Sequence, residues 1–301
     1  MAHIPIIFHP DYDIDVPITH RFNGEKFSHL YGILRSFESV NRFEFTQAAP
    51  VSFADVRRTH DQPYVKRVSM GDLSKGELRQ INLPMTARLI KRSFIALNGT
   101  YVTAKHALER KIACHAAGGT HHAHFAFGSG FCVFNDLAFT ALNLRHHGLA
   151  ERVLILDLDV HQGDGTIDIC DGKKGVYTCS IHCADNFPFV KRCGSFDLAL
   201  PSGTEDRAYL NALHKALDHV LSEFMPQIVL YDAGVDVSHC DRLGNFKLSH
   251  EGILERDRHV LSFFKCRQIP VATVIGGGYS PSNAEVAARH MSCFHAACDV
   301  H

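Results

Sequence analysis

An α/β fold with a largely parallel sheet, covered by helices on both faces, is what this 301-residue sequence predicts. Three observations carry the prediction. Short apolar runs rich in Val and Ile recur along the chain, with the length and composition of buried strands. Segments with apolar residues on one helical face lie between them. Every strong polar cluster follows an apolar run, where open α/β sheets keep their sites.

The runs are IPIIF (4–8), KIAC (111–114), VLILDL (153–158), VYTCSI (176–181), IVLYDA (228–233) and VATVI (271–275). Helices are expected over 85–109, 135–147, 206–224, 249–265 and 283–297. In 206–224, Leu210, Leu213, Leu217, Val220, Leu221 and Phe224 form one stripe, and Glu205 and Asp206 set negative charge at its positive end. Ser249 is placed to cap the helix it opens. A hydrophobic content of 46% suits one large core. No linker, repeat or low-complexity tract divides 1–301, so one domain is expected.

The formal charge is −1, from 31 basic and 32 acidic residues without a basic cluster. Nucleic acid and anionic membranes are not the expected partners, because both need clustered Lys and Arg. The segment MAHIPIIFHPDYD has neither the pattern of a signal peptide nor the length of a membrane span. A cytoplasmic setting is expected, in which the ten cysteines, none in a C-x-x-C pair, stay reduced.

The densest chemistry lies in DLDVHQGDGT (157–166). Asp157, Asp159 and His161 alternate and share one face if the strand conformation persists, so that two of them could grip a cation. Gly163 and Gly165 are read as permitting a tight turn. Asp159 and His161 would be two metal ligands, with Asp236 of DAGVD the third. Three N/O ligands leave an open coordination position, as catalytic sites do. Zn2+ fits this set; Fe(II), Co(II) or Mn(II) would too.

The pair His121–His122 sits between Gly118–Gly119 and Gly128-Ser-Gly130. With Asp157 and Asp164 to spare, two Asp–His pairs are expected, in which a carboxylate fixes the tautomer and raises the basicity of each ring. His124 has no evident partner. Tyr279, ending GGGY, could donate to a carbonyl oxygen as it becomes an oxyanion.

These residues resemble the zinc-dependent histone deacetylase superfamily. The similarity runs through HPDYD (9–13), HRFNGEKF (20–27), HDQPYVKRV (60–68), GGTHHAHFAFGSGFCVFND (118–136), DLDVHQGDGT, DAGVDVSHCDRLG (232–244) and GGGY (276–279). The HPDY…HRF opening and Gln162 look most like the class IV branch and its bacterial relatives. The resemblance implies a three-layer α/β/α fold of the arginase/deacetylase type. It implies Asp159, His161 and Asp236 as zinc ligands, His122 with Asp164 as general base and acid, and His121 with Asp157 as an electrostatic partner. It further implies Tyr279 as the carbonyl-polarising group and Gly130, Phe131 and Phe187 as tunnel wall. A structural K+ held by Asp157, Asp159, His161, Ser180 and Ile181 is implied as well. Asp72 and Glu77 are the candidates for a rim carboxylate that grips substrate backbone.

The expected activity is hydrolysis of acetyl or longer acyl groups from the ε-amine of lysine in a protein or peptide. The rivals are an acetylpolyamine deacetylase, an arginase-like enzyme with two metals, and a non-catalytic acyl-lysine-binding scaffold.

Overall fold

The computed structural model describes residues 3–17, 19–37 and 40–301. Among these residues, eight strands form one sheet: β1 (Ile4–Ile7), β2 (Phe43–Thr46), β3 (Ile112–His115), β4 (Val153–Asp157), β5 (Val176–Cys183), β6 (Phe196–Leu200), β7 (Ile228–Asp232) and β8 (Val271–Val274). Their order is β2-β1-β3-β8-β7-β4-β5-β6, and each described pairing is parallel. The helices are α1 (Lys26–Ser36), α2 (Phe53–Val56), α3 (Gln62–Met70), α4 (Lys75–Ile81), α5 (Ala87–Arg110), α6 (Asp136–His146), α7 (Asp164–Cys170), α8 (Asp206–Glu223), α9 (His250–Lys265) and α10 (Asn283–Val300).

The central strands are apolar throughout because both of their faces are covered. In β4, Leu154 and Leu156 join one core while Val153 and Ile155 join the other; β7 divides the same way, Val229 and Tyr231 against Ile228 and Leu230. This is the pleat at work, with period two. The first core packs under α1, α8, α9 and α10, and the second under α5, α6 and α7. A third cluster, including Tyr64, Val65, Ile81, Leu89, Leu97 and Phe134, joins α3 and α4 to the outer side of α5.

All six expected strands and all five expected helices are present, within a few residues at their ends. Two strands were not expected. Both β2 and β6 are sheet edges, and Glu44, Thr46 and Asp197 dilute their apolar pattern. An edge strand leaves one side in water, so its composition no longer announces it. The helices α1, α2, α3, α4 and α7 also went unread; α4 shows a full capping box, Ser74 with Glu77. Ser249 caps α9 as expected, its side chain accepting from the Gly252 N–H. Asp206, read only as helix charge, in turn accepts from the Ser249 N–H and hydroxyl at 2.8 and 2.6 Å.

Among the described residues, no helix is long and apolar enough to cross a membrane. All ten cysteines are free thiols.

Candidate active site

The four central strands β3, β8, β7 and β4 run side by side, so the loops at their carboxyl ends converge. Those loops carry His121–His122, Tyr279, Asp236, and Asp159 with His161. Parallel strands put every carboxyl end at the same edge of the sheet, which is why residues more than 100 positions apart meet there.

Extended backbone ends at Asp157, and the three alternating side chains then diverge. Asp157 Oδ2 lies 2.8 Å from His121 Nδ1. His161 Nδ1 instead lies 3.0 Å from Asp159 Oδ1 and 3.1 Å from Asp236 Oδ2. His122 Nδ1 lies 2.7 Å from Asp164 Oδ1. The sequence-expected residues are thus brought together as one triad and two Asp–His pairs, all of them buried.

The remaining oxygens of the triad rest on backbone. Gly277 N–H donates to Asp159 Oδ2 at 2.7 Å, and Val160 N–H donates to Asp236 Oδ1 at 3.0 Å. A Cβ on Gly277 would lie 2.1 Å from Asp236 Oδ2, so only glycine lets this loop pass over the carboxylates. The same reason governs the DLDVH loop and corrects its reading. Gly163 and Gly165 have ordinary φ angles, and Gly165 is inside α7. Their Cβ atoms would meet Asp157 Oδ2 and the Ala123 carbonyl, each at 2.3 Å. Close approach, not a turn, requires these glycines.

Charge is distributed unevenly. Burial opposes ionisation of His121, but Asp157 and Asp159 outweigh it and hold the ring well above the usual imidazole range. Burial and the neighbouring His121 charge push His122 down to about 4, despite its bond to Asp164. Two adjacent histidines therefore hold opposite protonation states, the pattern that separates a base from a fixed charge. Burial, then the Asp236 and Asp159 carboxylates, keep the Tyr279 phenol protonated.

The triad itself fits a divalent cation. Burial and the Asp159 charge push Asp236 up to about 7, while the hydrogen bonds that His161 donates to Asp159 and Asp236 outweigh burial and lift His161 to about 10. Two carboxylates crowding one imidazole, with donor atoms within 4.8 Å of one another, have more negative charge than the protein neutralises. His121, Asp157 and Asp232 are as close together. There, however, the His121 Nδ1–H is committed to Asp157. Asp232 has neither oxygen hydrogen-bonded, and burial drives its carboxyl toward the neutral acid.

A cavity of about 980 Å³ opens above the triad, lined by His122, Gly130, Phe131, His161, Phe187 and Tyr279 among others. Phe187 packs on His122 with ring centroids 4.9 Å apart, and Phe131 lies 5.8 Å from Tyr279. Phe131 holds φ at +66°, a left-handed conformation that costs a non-glycine residue energy. Below the site is a void of only about 30 Å³, bordered by Phe22, Lys26, Phe27 and Arg92. Ser180 and Asp157 face each other across β4 and β5, and the Ser180 hydroxyl lies 2.9 Å from His182 Nδ1. Glu77 belongs to the α4 capping box and pairs with Arg67 at 2.7 Å; neither it nor Asp72 lines the cavity, whereas Gln80 does.

Several residues that shape the site carried no sequence signal of their role. His124, left without a partner, has two: Asp164 at 3.2 Å and Asp168 at 3.1 Å. Asp241 accepts the Tyr279 N–H at 2.7 Å and so holds the GGGY turn. Lys26 is buried beneath the site, its ammonium 3.1 Å from the Gly276 carbonyl, and burial lowers it to about 8. Arg256 is fully buried and donates to the carbonyls of Leu158, Ala233 and Gly234, tying β4 to β7 where the triad residues emerge. Gln162 bonds the Arg192 backbone in both directions at 2.8 Å and so pins the segment that carries Phe187.

A parallel three-layer fold with this cluster at its carboxyl edge defines a class of hydrolase sites, here with acidic and imidazole groups that could hold a metal. Residues 20–294 match the histone deacetylase domain, and the chain belongs to the histone deacetylase family. It is 42% identical to an uncharacterized protein of Picosynechococcus sp. over 99% of both chains. It is 29% identical to histone deacetylase 2 of Arabidopsis thaliana, over 96% of this chain and 78% of that one. An HDAC homolog from Aquifex aeolicus superposes with a TM-score of 0.81 at 24% identity, over 98% of this chain and 84% of that one, and so shares the fold.

Proposed function

We propose that this protein is a metal-dependent deacylase that removes acetyl groups from the ε-amine of lysine in a protein or peptide. The observation that carries the reading is the Asp159–His161–Asp236 triad, flanked by two Asp–His pairs and Tyr279 at the end of an apolar cavity. A divalent ion held by those three residues, Zn2+ by the donor set, would supply Lewis-acid polarisation of the amide and acidification of water.

The chain's own groups do the rest. His122, neutral, takes one proton from the attacking water while Asp164 holds its other nitrogen. The water oxygen bonds to the carbonyl carbon. The Tyr279 hydroxyl donates to the oxygen that becomes negative, and His121 stays charged beside it to offset that charge. The C–N bond then breaks as His122 passes its proton to the departing amine. Gly130, Phe131 and Phe187 receive the uncharged lysine stem and exclude water from it. A monovalent cation, proposed as K+, is assigned to Asp157, Asp159, His161, Ser180 and Ile181, which would brace the loop behind the triad.

Two features narrow the substrate. The void below the site has room for about one water-sized group, which favours acetyl over long acyl chains. Among the residues lining the cavity, Arg192 is paired with Asp168 at 3.1 Å, and Arg21 offsets the exposed acid Asp185, a poor match for a polyamine's second ammonium. A panel of acetyl- to myristoyl-lysine peptides beside acetylputrescine and acetylspermidine tests both. The acetyl-lysine peptide should be the best substrate, with a hydroxamate inhibiting by chelation. Tyr279→Phe should lose about a hundred- to a thousandfold in kcat. Turnover that survives both metal removal and Asp236→Ala would overturn the mechanism.

A further inference from the structure

His124 is buried, 4% exposed, and its ring stacks on Phe127 at 4.4 Å. Its two nitrogens face two different carboxylates: Nε2 lies 3.2 Å from Asp164 Oδ2, and Nδ1 lies 3.1 Å from Asp168 Oδ2. Both partners are acceptors when ionised. A neutral imidazole donates from one nitrogen only, so the pair of contacts is satisfied by the doubly protonated ring. Asp168 is balanced from its other side by Arg192 at 3.1 Å, and His60 touches only the His124 carbonyl, at 2.9 Å.

The consequence lies at Asp164. Its Oδ1 takes the His122 Nδ1–H at 2.7 Å and its Oδ2 takes His124. A carboxylate held at one oxygen turns readily about its last torsion, which is broad; one held at both does not. Resting on the reading of His122 as general base, we propose that His124 is a positioning residue, which locks the Asp164 carboxylate and through it the tautomer and orientation of the His122 ring.

His124→Phe keeps a ring to stack on Phe127 and removes both donors; His124→Gln keeps one donor for Asp164. Measured on an acetyl-lysine peptide, His124→Phe should lose roughly ten- to a hundredfold in kcat, as partners behind a catalytic group do, with KM within about twofold. His124→Gln should recover part of that loss. A second measurement needs no turnover: the downfield proton NMR signal of the His122 Nδ1–H, identified by its disappearance in Asp164→Ala, should shift or broaden in His124→Phe. Wild-type kcat together with an unmoved signal would overturn the inference. So would a kcat loss that tracks a lowered melting temperature and is not relieved by glutamine. Should the wild-type chain turn over none of the acyl substrates, the proposed function fails by itself, and the proton signal decides the role of His124.

Discussion

Substitution of Gly277 by Ala probes how the third loop is fitted over the candidate metal ligands. The backbone there has an ordinary φ, so alanine adopts it without strain and the added methyl is the whole perturbation. That Cβ would lie 2.1 Å from Asp236 Oδ2 and 2.5 Å from Asp159 Oδ2. Non-bonded carbon contacts settle near 3.5 Å, so at least one ligand oxygen must retreat by about 1 Å. The Gly277 N–H that donates to Asp159 at 2.7 Å would be displaced with it. Misplacement on that scale costs about a hundredfold in rate, and comparable damage behind a metal ligand costs about 10- to 100-fold in affinity. At the upper end this is about 2.8 kcal/mol of binding free energy. Competition of Zn2+ between the protein and a chromophoric chelator measures it directly, beside melting curves of the metal-free chain. Gly32→Ala is the control, because a Cβ in that position of α1 meets nothing within 4 Å. Zn2+ affinity and turnover of Gly277→Ala equal to wild type would refute the geometric argument.

Three further outcomes follow from the packing. Arg256→Met should cost about 3–5 kcal/mol in urea denaturation, because it strands the buried Asp257 that the guanidinium pairs at 2.8 Å; Arg256→Met/Asp257→Leu, which leaves no buried charge, should cost less, and a single-variant loss under about 1 kcal/mol would contradict this. His60 accepts the Asn135 N–H at Nε2 (2.9 Å), so it folds neutral, and burial lowers it from 6.5 to about 4. The unfolded chain therefore binds this proton first as pH falls. The stability is intact above about pH 6.5 and is lost toward pH 4, by up to about 1.4 kcal/mol per pH unit. A His60→Gln stability profile parallel to wild type over that window would show that another group is responsible. Asp241→Ala frees the Tyr279 N–H and should lower kcat at least about tenfold with little change in KM; equal loss in a Tyr279→Phe background would mean Asp241 acts elsewhere.

What was legible in the sequence was whatever local pattern reports. Continuous apolar runs such as VLIL and IVLY mark strands covered on both faces, and the polar residues that end them mark the edge where a site forms. The triad and both Asp–His pairs could be named from there, because their members sit in short motifs whose residue types have few other uses. The edge strands β2 and β6 escaped because one side of each is solvated and the apolar signal fades. Partnership across the chain escaped for a different reason. His124 and Asp168 are 44 positions apart, Gly277 and Asp159 118, and Arg256 and Leu158 98. Periodicity states that a face is buried and says nothing about what it meets. Lys26 and Arg256 show the limit: a charged side chain ordinarily faces solvent, yet both are buried at the carboxyl edge of the sheet. The sequence by itself determined the chemistry available to this protein. Tertiary structure decided what those groups meet outside their motifs, such as Asp168 at His124 and the Gly277 N–H at Asp159, because hydrogen bonds and ion pairs form between neighbours in space.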